Sequence, residues 1–389
     1  MIEIKNLKKA ANRIKKAIKK NERIILYGDS DLDGAASVII LADSIKNLGG
    51  NVTFVYFPDR EKEGYGLNKT ALDLLKKFTP ALLILMDCGI SNFKEIKLAK
   101  KMGFETIIID HHETLEKLPE AEIIVDPKQK NDKYPFKGLA ATGIVYKLAK
   151  ILLTFNPKGL TDSLEKNFLE LTVLATLADM MPEVEENKTM IEEGLPLLKN
   201  TFRPGLKAFF ERDEIQSISS LRAMIQKIVS VLNIIEHKEH LSATYLILTS
   251  NSLDEAKVLI DELFEKQEQK QRETSEITEE VEGYLSQKIK EIIIFEGNYY
   301  WPLSLLGAVA SRICRKHQKP VFLYKKKEKE SRGAVRTPAN INAVEMMKKC
   351  SKNLIAYGGH PLAAGFTVKN ENLEKFKECL IKNIESLSN

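Results

Sequence analysis

The chain has 389 residues, of which 43% are hydrophobic and 29% charged, with a formal net charge of +5. This length exceeds one ordinary core and predicts two or three domains. No apolar run approaches the roughly 18 residues of a spanning helix and the first twenty residues hold no signal-peptide core, so neither a membrane protein nor a secreted one is expected.

Residues 6 to 20 read as an amphipathic helix, with Leu7, Ala11, Ile14 and Ile18 at helical spacing. Strands and helices then alternate. Strands are predicted over Arg23 to Tyr27, Val52 to Phe57, Ala81 to Met86, Thr106 to Ile109 and Glu122 to Val125, with helices over Gly34 to Leu48, Lys69 to Phe78 and Lys94 to Met102. Near-continuous apolar strands separated by helices predict an α/β domain with a parallel sheet covered on both faces, running to about residue 185. Residues 186–290 read as mainly helical, and the charged run from Leu253 to Lys290 suits a long polar connecting helix. Strand signals return in EIIIFEG and PVFLYKKK, followed by AYGGHPLAAGF and a last helix over Leu373 to Leu387. A second, smaller α/β domain is therefore expected over 291–389.

The four cysteines, Cys88, Cys314, Cys350 and Cys379, lie far apart without a CxxC. They suggest neither a disulfide framework nor a zinc finger, and a reduced cytoplasm is the expected setting. Residues 1 to 23 carry nine Lys or Arg against two Glu, and Lys325, Lys326, Lys327 and Lys329 cluster with Arg332 and Arg336. Such patches suit a polyanionic ligand, although a solvated Lys-rich face has the same composition.

The chemistry lies in four acidic clusters: Asp29, Asp31 and Asp33 in YGDSDLDGAAS, Asp87 in LILMDCGIS, Asp110-His111-His112 in TIIIDHH, and Asp179 in LATLADMMP. Three follow apolar runs read as strands, and carboxylates just past the carboxyl ends of parallel strands converge where open α/β sheets bind ligands. Three aspartates on a short turn repel one another unless a cation neutralises them. A carboxylate beside two imidazoles suits manganese or zinc better than magnesium alone. Taken singly, each cluster also fits a solvated turn or a helix cap; the calcium-loop spacing is absent.

In order and content these motifs resemble the DHH phosphoesterase superfamily, and within it the RecJ-like single-strand exonuclease branch. DSDLDG, MDCG, DHHET and LATLADMMP are similar to its four acidic motifs. KGLAATGIVYKLA and NKTMIEEGLPLLKNTFRPGLKAF are similar to further core segments, and LLGAVASRI and GGHPLAAGF to the accessory DHHA1 domain. The resemblance implies a DHH domain and a DHHA1 domain with the active-site cleft between them. It implies two divalent ions, usually manganese with magnesium as the alternative, on Asp31, Asp33, Asp87, His111 and Asp179, with Asp87 bridging.

It further implies that His112 faces the scissile phosphate while Asp110 orients the histidine pair. Tyr27 stands where many members carry a histidine, which leaves Asp29 to complete one metal site or leaves that site weaker. In the second domain Arg336, Gly358, Gly359 and His360 would hold a phosphate, with Ser37 and Arg312 as additional substrate contacts. For the glycine pair a plain tight turn is the alternative. Trp301, Tyr299 and Tyr300 are candidates for base stacking or for packing.

Two metal ions about 4 Å apart can deprotonate a bridging water and neutralise charge building on phosphorus. The expected activity is a manganese-dependent exonuclease that releases mononucleotides from single-stranded DNA or RNA. The alternatives are a phosphodiesterase acting on short oligonucleotides or cyclic dinucleotides, and a replication-complex scaffold with little catalysis. Archaeal members of this type associate with the replication complex GINS, which the resemblance suggests as a partner.

Overall fold

The computed structural model describes residues 2–115, 117–154, 162–285 and 291–388, and the end of the charged run expected to reach Lys290 lies outside them. The chain forms two compact units, one ending at Lys266 and one beginning at Gln267.

The first unit opens with α1 (Leu7–Lys19), β1 (Arg23–Gly28), α2 (Leu32–Asn47), β2 (Val52–Tyr56), α3 (Lys69–Leu75), β3 (Ala81–Met86), α4 (Phe93–Met102), β4 (Phe104–Ile109) and β5 (Ile123–Val125). The five strands are all parallel, in the order β2-β1-β3-β4-β5. β3, with the sequence ALLILM, is buried throughout, as a strand covered on both faces must be. Alternate side chains serve the two faces. Ile24, Leu26, Leu82, Ile84, Met86, Ile107 and Ile109 join the core under α1 and α2, whereas Ile25, Tyr27, Leu83, Leu85 and Ile108 pack with residues of α3 and α4.

Helices α5 (Ala141–Leu153), α6 (Asp162–Ala178), α7 (Glu185–Gly194), α8 (Pro204–Phe210), α9 (Asp213–Gln216) and α10 (Leu221–Leu232) follow. A short antiparallel pair, β6 (His237–Lys238) and β7 (Leu241–Ser242), then leads to α11 (Ala243–Thr249). These helices share the first core, in which Phe168, Phe209, Ile228 and Ile247 are fully buried. The long polar helix is α12 (Leu253–Leu285), 33 residues. Its Ala256, Ile260 and Leu263 belong to the first core, and Ile277, Val281 and Leu285 to a core of the second unit.

The second unit continues with β8 (Ile294–Asn298), α13 (Leu303–His317), β9 (Val321–Lys326), β10 (Glu330–Arg336), α14 (Ala343–Lys349), β11 (Leu354–His360), β12 (Ala363–Lys369) and α15 (Leu373–Ser388). Its sheet order is β11-β12-β10-β9-β8, with β8 and β9 parallel and the other pairs antiparallel. The unit is thus the expected smaller α/β body. Contrary to the cysteine spacing, which suggests no pairing, Cys350 at the end of α14 and Cys379 on α15 form a disulfide across 29 residues. Packing of α15 against α14 juxtaposes them, and no local motif announces that. Among the described residues no helix is long and apolar enough to cross a membrane.

Candidate metal centre

In this strand order the chain leaves β1 for β2 on one side and for β3 on the other, so the crevice beyond the carboxyl ends of β1 and β3 is the switch point where such sheets bind ligands. Asp29, Asp87 and Asp110 are each the first residue past their strand. The sheet register places Gly28 opposite Met86 and Met86 opposite Ile109, so the three aspartates stand side by side. Backbone hydrogen bonds extend the ladder through them: Asp29 N–H to Met86 O at 3.1 Å, Asp87 N–H to Ile109 O at 3.0 Å, and Asp110 N–H to Val125 O at 3.0 Å. Asp87 then turns into the left-handed region with φ 59°, a conformation that aspartate tolerates better than most residues and that is found at functional sites.

Asp31 caps α2, its Oδ1 accepting from Gly34 N at 3.1 Å. Asp33, in the first turn, is gripped by the N-terminus of α5. Its two oxygens accept from Ala141 N and Thr142 N, both at 2.8 Å, and the Thr142 hydroxyl also donates to it. Gly34 is obligatory, because a Cβ there would lie 2.2 Å from Asp29 O and 2.6 Å from Asp29 N.

His111 draws the segments together. Its Nε2 lies 3.2 Å from Asp87 Oδ1, 3.4 Å from Asp179 Oδ2 and 3.7 Å from Asp33 Oδ2. Asp179 follows α6 and its amide continues that helix to Ala175 O. His112 turns instead to Asp110, Nδ1 to Oδ1 at 2.8 Å. Asp110 also accepts from the amides of His111, His112 and Ile90. With both oxygens engaged, Asp110 holds the His112 ring and the backbone of His111.

Asp33, Asp87 and His111 are almost fully buried, and Asp87 Oδ1 and Asp179 Oδ2 are buried without a hydrogen-bond partner. Burial, reinforced by the neighbouring carboxylates, pushes Asp87 and Asp179 well above the ordinary carboxylate range. Burial also raises Asp33, to about 6, against the pull of the Thr142 hydrogen bonds. For His112 burial works downward, yet Asp110 and the other carboxylates outweigh it and raise the imidazole to about 9. Buried oxygens that converge and lack donors fit a divalent cation, to which the histidine adds a nitrogen donor. Asp33, Asp87 and His111 form one possible ligand group, and Asp29, Asp31 and Asp87 another.

One expectation changes, that for Ser37. Tyr27 is fully buried, donates its hydroxyl to Gly66 O at 2.9 Å and stacks on Tyr56, so it belongs to the core. Ser37 is also fully buried, its Oγ 3.0 Å from Thr142 Oγ1, so it lies behind Asp33 and cannot meet a substrate. Asp29 does face the crevice, but it is clamped by Arg60, with Nε to Oδ1 at 3.0 Å and Nη2 on Oδ2. Nothing in the motif reading pointed to Arg60. The available signal was PDREKEGYG, an arginine placed just past β2, the strand beside the acidic turn. The same loop carries Tyr65, whose hydroxyl donates to Asp87 O at 2.9 Å.

In the second unit Arg336 and His360 flank Ala363 on neighbouring strands. Arg336 donates to Ser311 Oγ at 3.0 Å and to Val335 O. Gly358 and Gly359 pair with Gly365 and Ala364 in the ladder, and Gly359 has φ 131°. Arg312 donates to Ser275 Oγ at 3.1 Å. Trp301 is buried and its indole donates to Glu280, whereas Tyr299 and Tyr300 are exposed.

The profile of the DHH family, N-terminal domain, matches residues 23–176, and that of the DHHA1 domain matches residues 284–386. The chain is 34% identical over 383 residues to the single-stranded-DNA-specific exonuclease RecJ of Bacillus subtilis, covering 97% of this chain and 48% of that protein. It thus spans about half the length of this relative. A crystal structure of exonuclease RecJ bound to manganese superposes with a TM-score of 0.77 at 25% identity, covering 98% of this chain and 95% of the other. RecJ from Thermus thermophilus in complex with Mn2+ gives a TM-score of 0.79 at 25% identity, covering 98% of this chain and 55% of the other.

Proposed function

Because this chain belongs to the DHH family and carries a DHHA1 domain, we propose that it is a manganese-dependent exonuclease that releases mononucleotides from single-stranded nucleic acid. The observation that carries this reading is the convergence of Asp33, Asp87, Asp179 and His111 around buried carboxylate oxygens that accept no hydrogen bond. Those four residues would hold one ion, and Asp29, Asp31 and Asp87 a second, with Asp87 common to both. Magnesium would suit the carboxylates but less well the imidazole. When bound, such ions activate a water and offset charge building at phosphorus.

The protein's own groups supply positioning. Thr142 and the α5 amides fix the Asp33 carboxylate. Asp110 fixes the His112 ring and the backbone of His111, which leaves His112 charged near neutral pH and suited to a phosphate oxygen. Arg336, with Gly358, Gly359 and His360 around the β11–β12 turn, would take a phosphate of the strand, and Arg312 a further contact. The likeness to single-strand-specific relatives supports DNA as the first substrate to examine. Cytoplasmic action and association with replication proteins such as GINS belong to the same reading, and co-purification from native lysate tests the latter.

End-labelled DNA and RNA strands, digested with Mn2+ or Mg2+, test the proposal. The wild type is expected to release mononucleotides and Asp87→Asn to release none. Absence of release from any strand, with Asp87→Asn behaving identically, would overturn it. Activity confined to strands of about two to five nucleotides would favour the short-substrate phosphodiesterase.

A further inference from the structure

The two halves of the metal centre carry different charge. Arg60 lies in the loop after β2 and applies its guanidinium fork to both oxygens of Asp29, while Nη2 also reaches Asp31 Oδ2 at 2.9 Å. A bidentate pair with a buried carboxylate is among the stronger polar contacts a protein makes. The Arg60 guanidinium also stands 5.5 Å from the centroid of the Tyr65 ring. By contrast, the ion pairs of Asp33, Asp87 and Asp179 among the described residues are with His111 and His112 only.

We infer that Arg60 is a resident counter-cation that competes with a metal ion for Asp29 and Asp31, so that the two halves of the centre fill unequally and in order. This rests on the metal-centre reading above. The half built from Asp33, Asp87, Asp179 and His111 has, among the described residues, no guanidinium or ammonium within ion-pair distance of its carboxylates, and it takes an ion directly. At the Asp29–Asp31 half an incoming divalent ion meets a positive charge already bonded to the same oxygens. It must displace that charge.

The loop is built for such a displacement. Phe57 N–H donates to His240 O at 3.0 Å, the Ser30 hydroxyl donates to Pro58 O, and Tyr65 is tied to Asp87, so both ends are pinned. Between these anchors the Arg60 side chain is 31% exposed, while the Asp29 side chain is 1% exposed. The guanidinium can therefore swing towards solvent without the loop unfolding.

Calorimetric titration of the metal-stripped protein with MnCl2, together with thermal melting in the presence and absence of Mn2+, tests this on wild type, Arg60→Gln and Arg60→Lys. The wild type should bind one ion tightly and a second about ten- to a hundredfold more weakly, the range typical of groups that engage metal ligands. Arg60→Gln should narrow that gap by tightening only the weaker site. It should also melt below wild type when metal-free and regain more on adding Mn2+, because the ion then replaces the charge lost beside Asp29. Arg60→Lys, which keeps the charge without the fork, should fall between and serves if Arg60→Gln does not fold. Two equal sites in the wild type, or a second site that neither variant tightens, overturns the inference and leaves the metal centre standing. No Mn2+ binding by any of the three proteins overturns the metal-centre reading and the inference with it.

Discussion

Thr142→Val removes one donor from Asp33, a ligand candidate held at both carboxylate oxygens. Asp33 accepts from two amides and from the Thr142 hydroxyl, and valine keeps the shape while deleting only the hydroxyl. A hydrogen bond to an ionised group contributes about 1.5–3 kcal/mol, which at about 1.4 kcal/mol per tenfold corresponds to one to two orders of magnitude. Burial already raises Asp33 to about 6, and Thr142 acts against that rise. Loss of the hydroxyl lifts the pKa further, so near pH 7 a proton competes with the ion. Mn2+ affinity should accordingly fall about ten- to a hundredfold at pH 7 and recover in part at pH 8.5, where the carboxylate is again ionised. Titration calorimetry at both pH values reads this directly, and saturating Mn2+ should restore turnover. Thr142→Ser, which keeps the hydroxyl, should behave as wild type. Affinity within twofold of wild type, or a serine variant as weak as the valine one, would refute the reasoning.

Gly34→Ala places a Cβ 2.2 Å from a backbone oxygen of Asp29, so α2 or the acidic turn must move. Urea unfolding should show a loss of at least about 1–3 kcal/mol, as overpacking does, with Mn2+ binding weakened in parallel; a variant unchanged in both would show that the close approach is soft. Asp126 is fully buried with Oδ2 lacking a partner, and burial, helped by Asp110, raises it to about 8. Its folded pKa exceeds its unfolded one, so its contribution to stability is intact below about pH 4 and is lost as pH climbs towards 8. Asp126→Asn should therefore gain on wild type between pH 5 and pH 8.5 in metal-free urea melts, with a ceiling of roughly 4 kcal/mol from the part of the shift that falls inside that window. Equal differences at the two pH values would show that Asp126 stays ionised.

Strand ends are local properties, and that is why the acidic motifs were legible. An apolar run that stops at Met86 or Ile109 announces both a buried strand and the place where its following carboxylate emerges. The alternation of such runs with helical patterns likewise specified a parallel sheet, and the charge of the long run after Leu253 specified α12. Ser37 shows the limit of motif reading. It belongs to the first motif by position, but the helix turns it into the core.

Arg60, Tyr65 and Thr142 were not legible because their meaning lies in partners far along the chain. Thr142 meets Asp33 across 109 residues and Arg60 meets Asp29 across 31. Those distances close only because β2 pairs beside β1 and α5 begins against the first turn of α2. Cys350 and Cys379 meet for the same kind of reason, through the packing of α15 on α14. Hydrophobic period and strand termination by themselves determined which residues carry the acidic chemistry. Strand order and helix packing alone decided that Asp29 faces a guanidinium while Asp87 and Asp179 present buried oxygens without donors, because charge compensation depends on neighbours in space rather than in sequence.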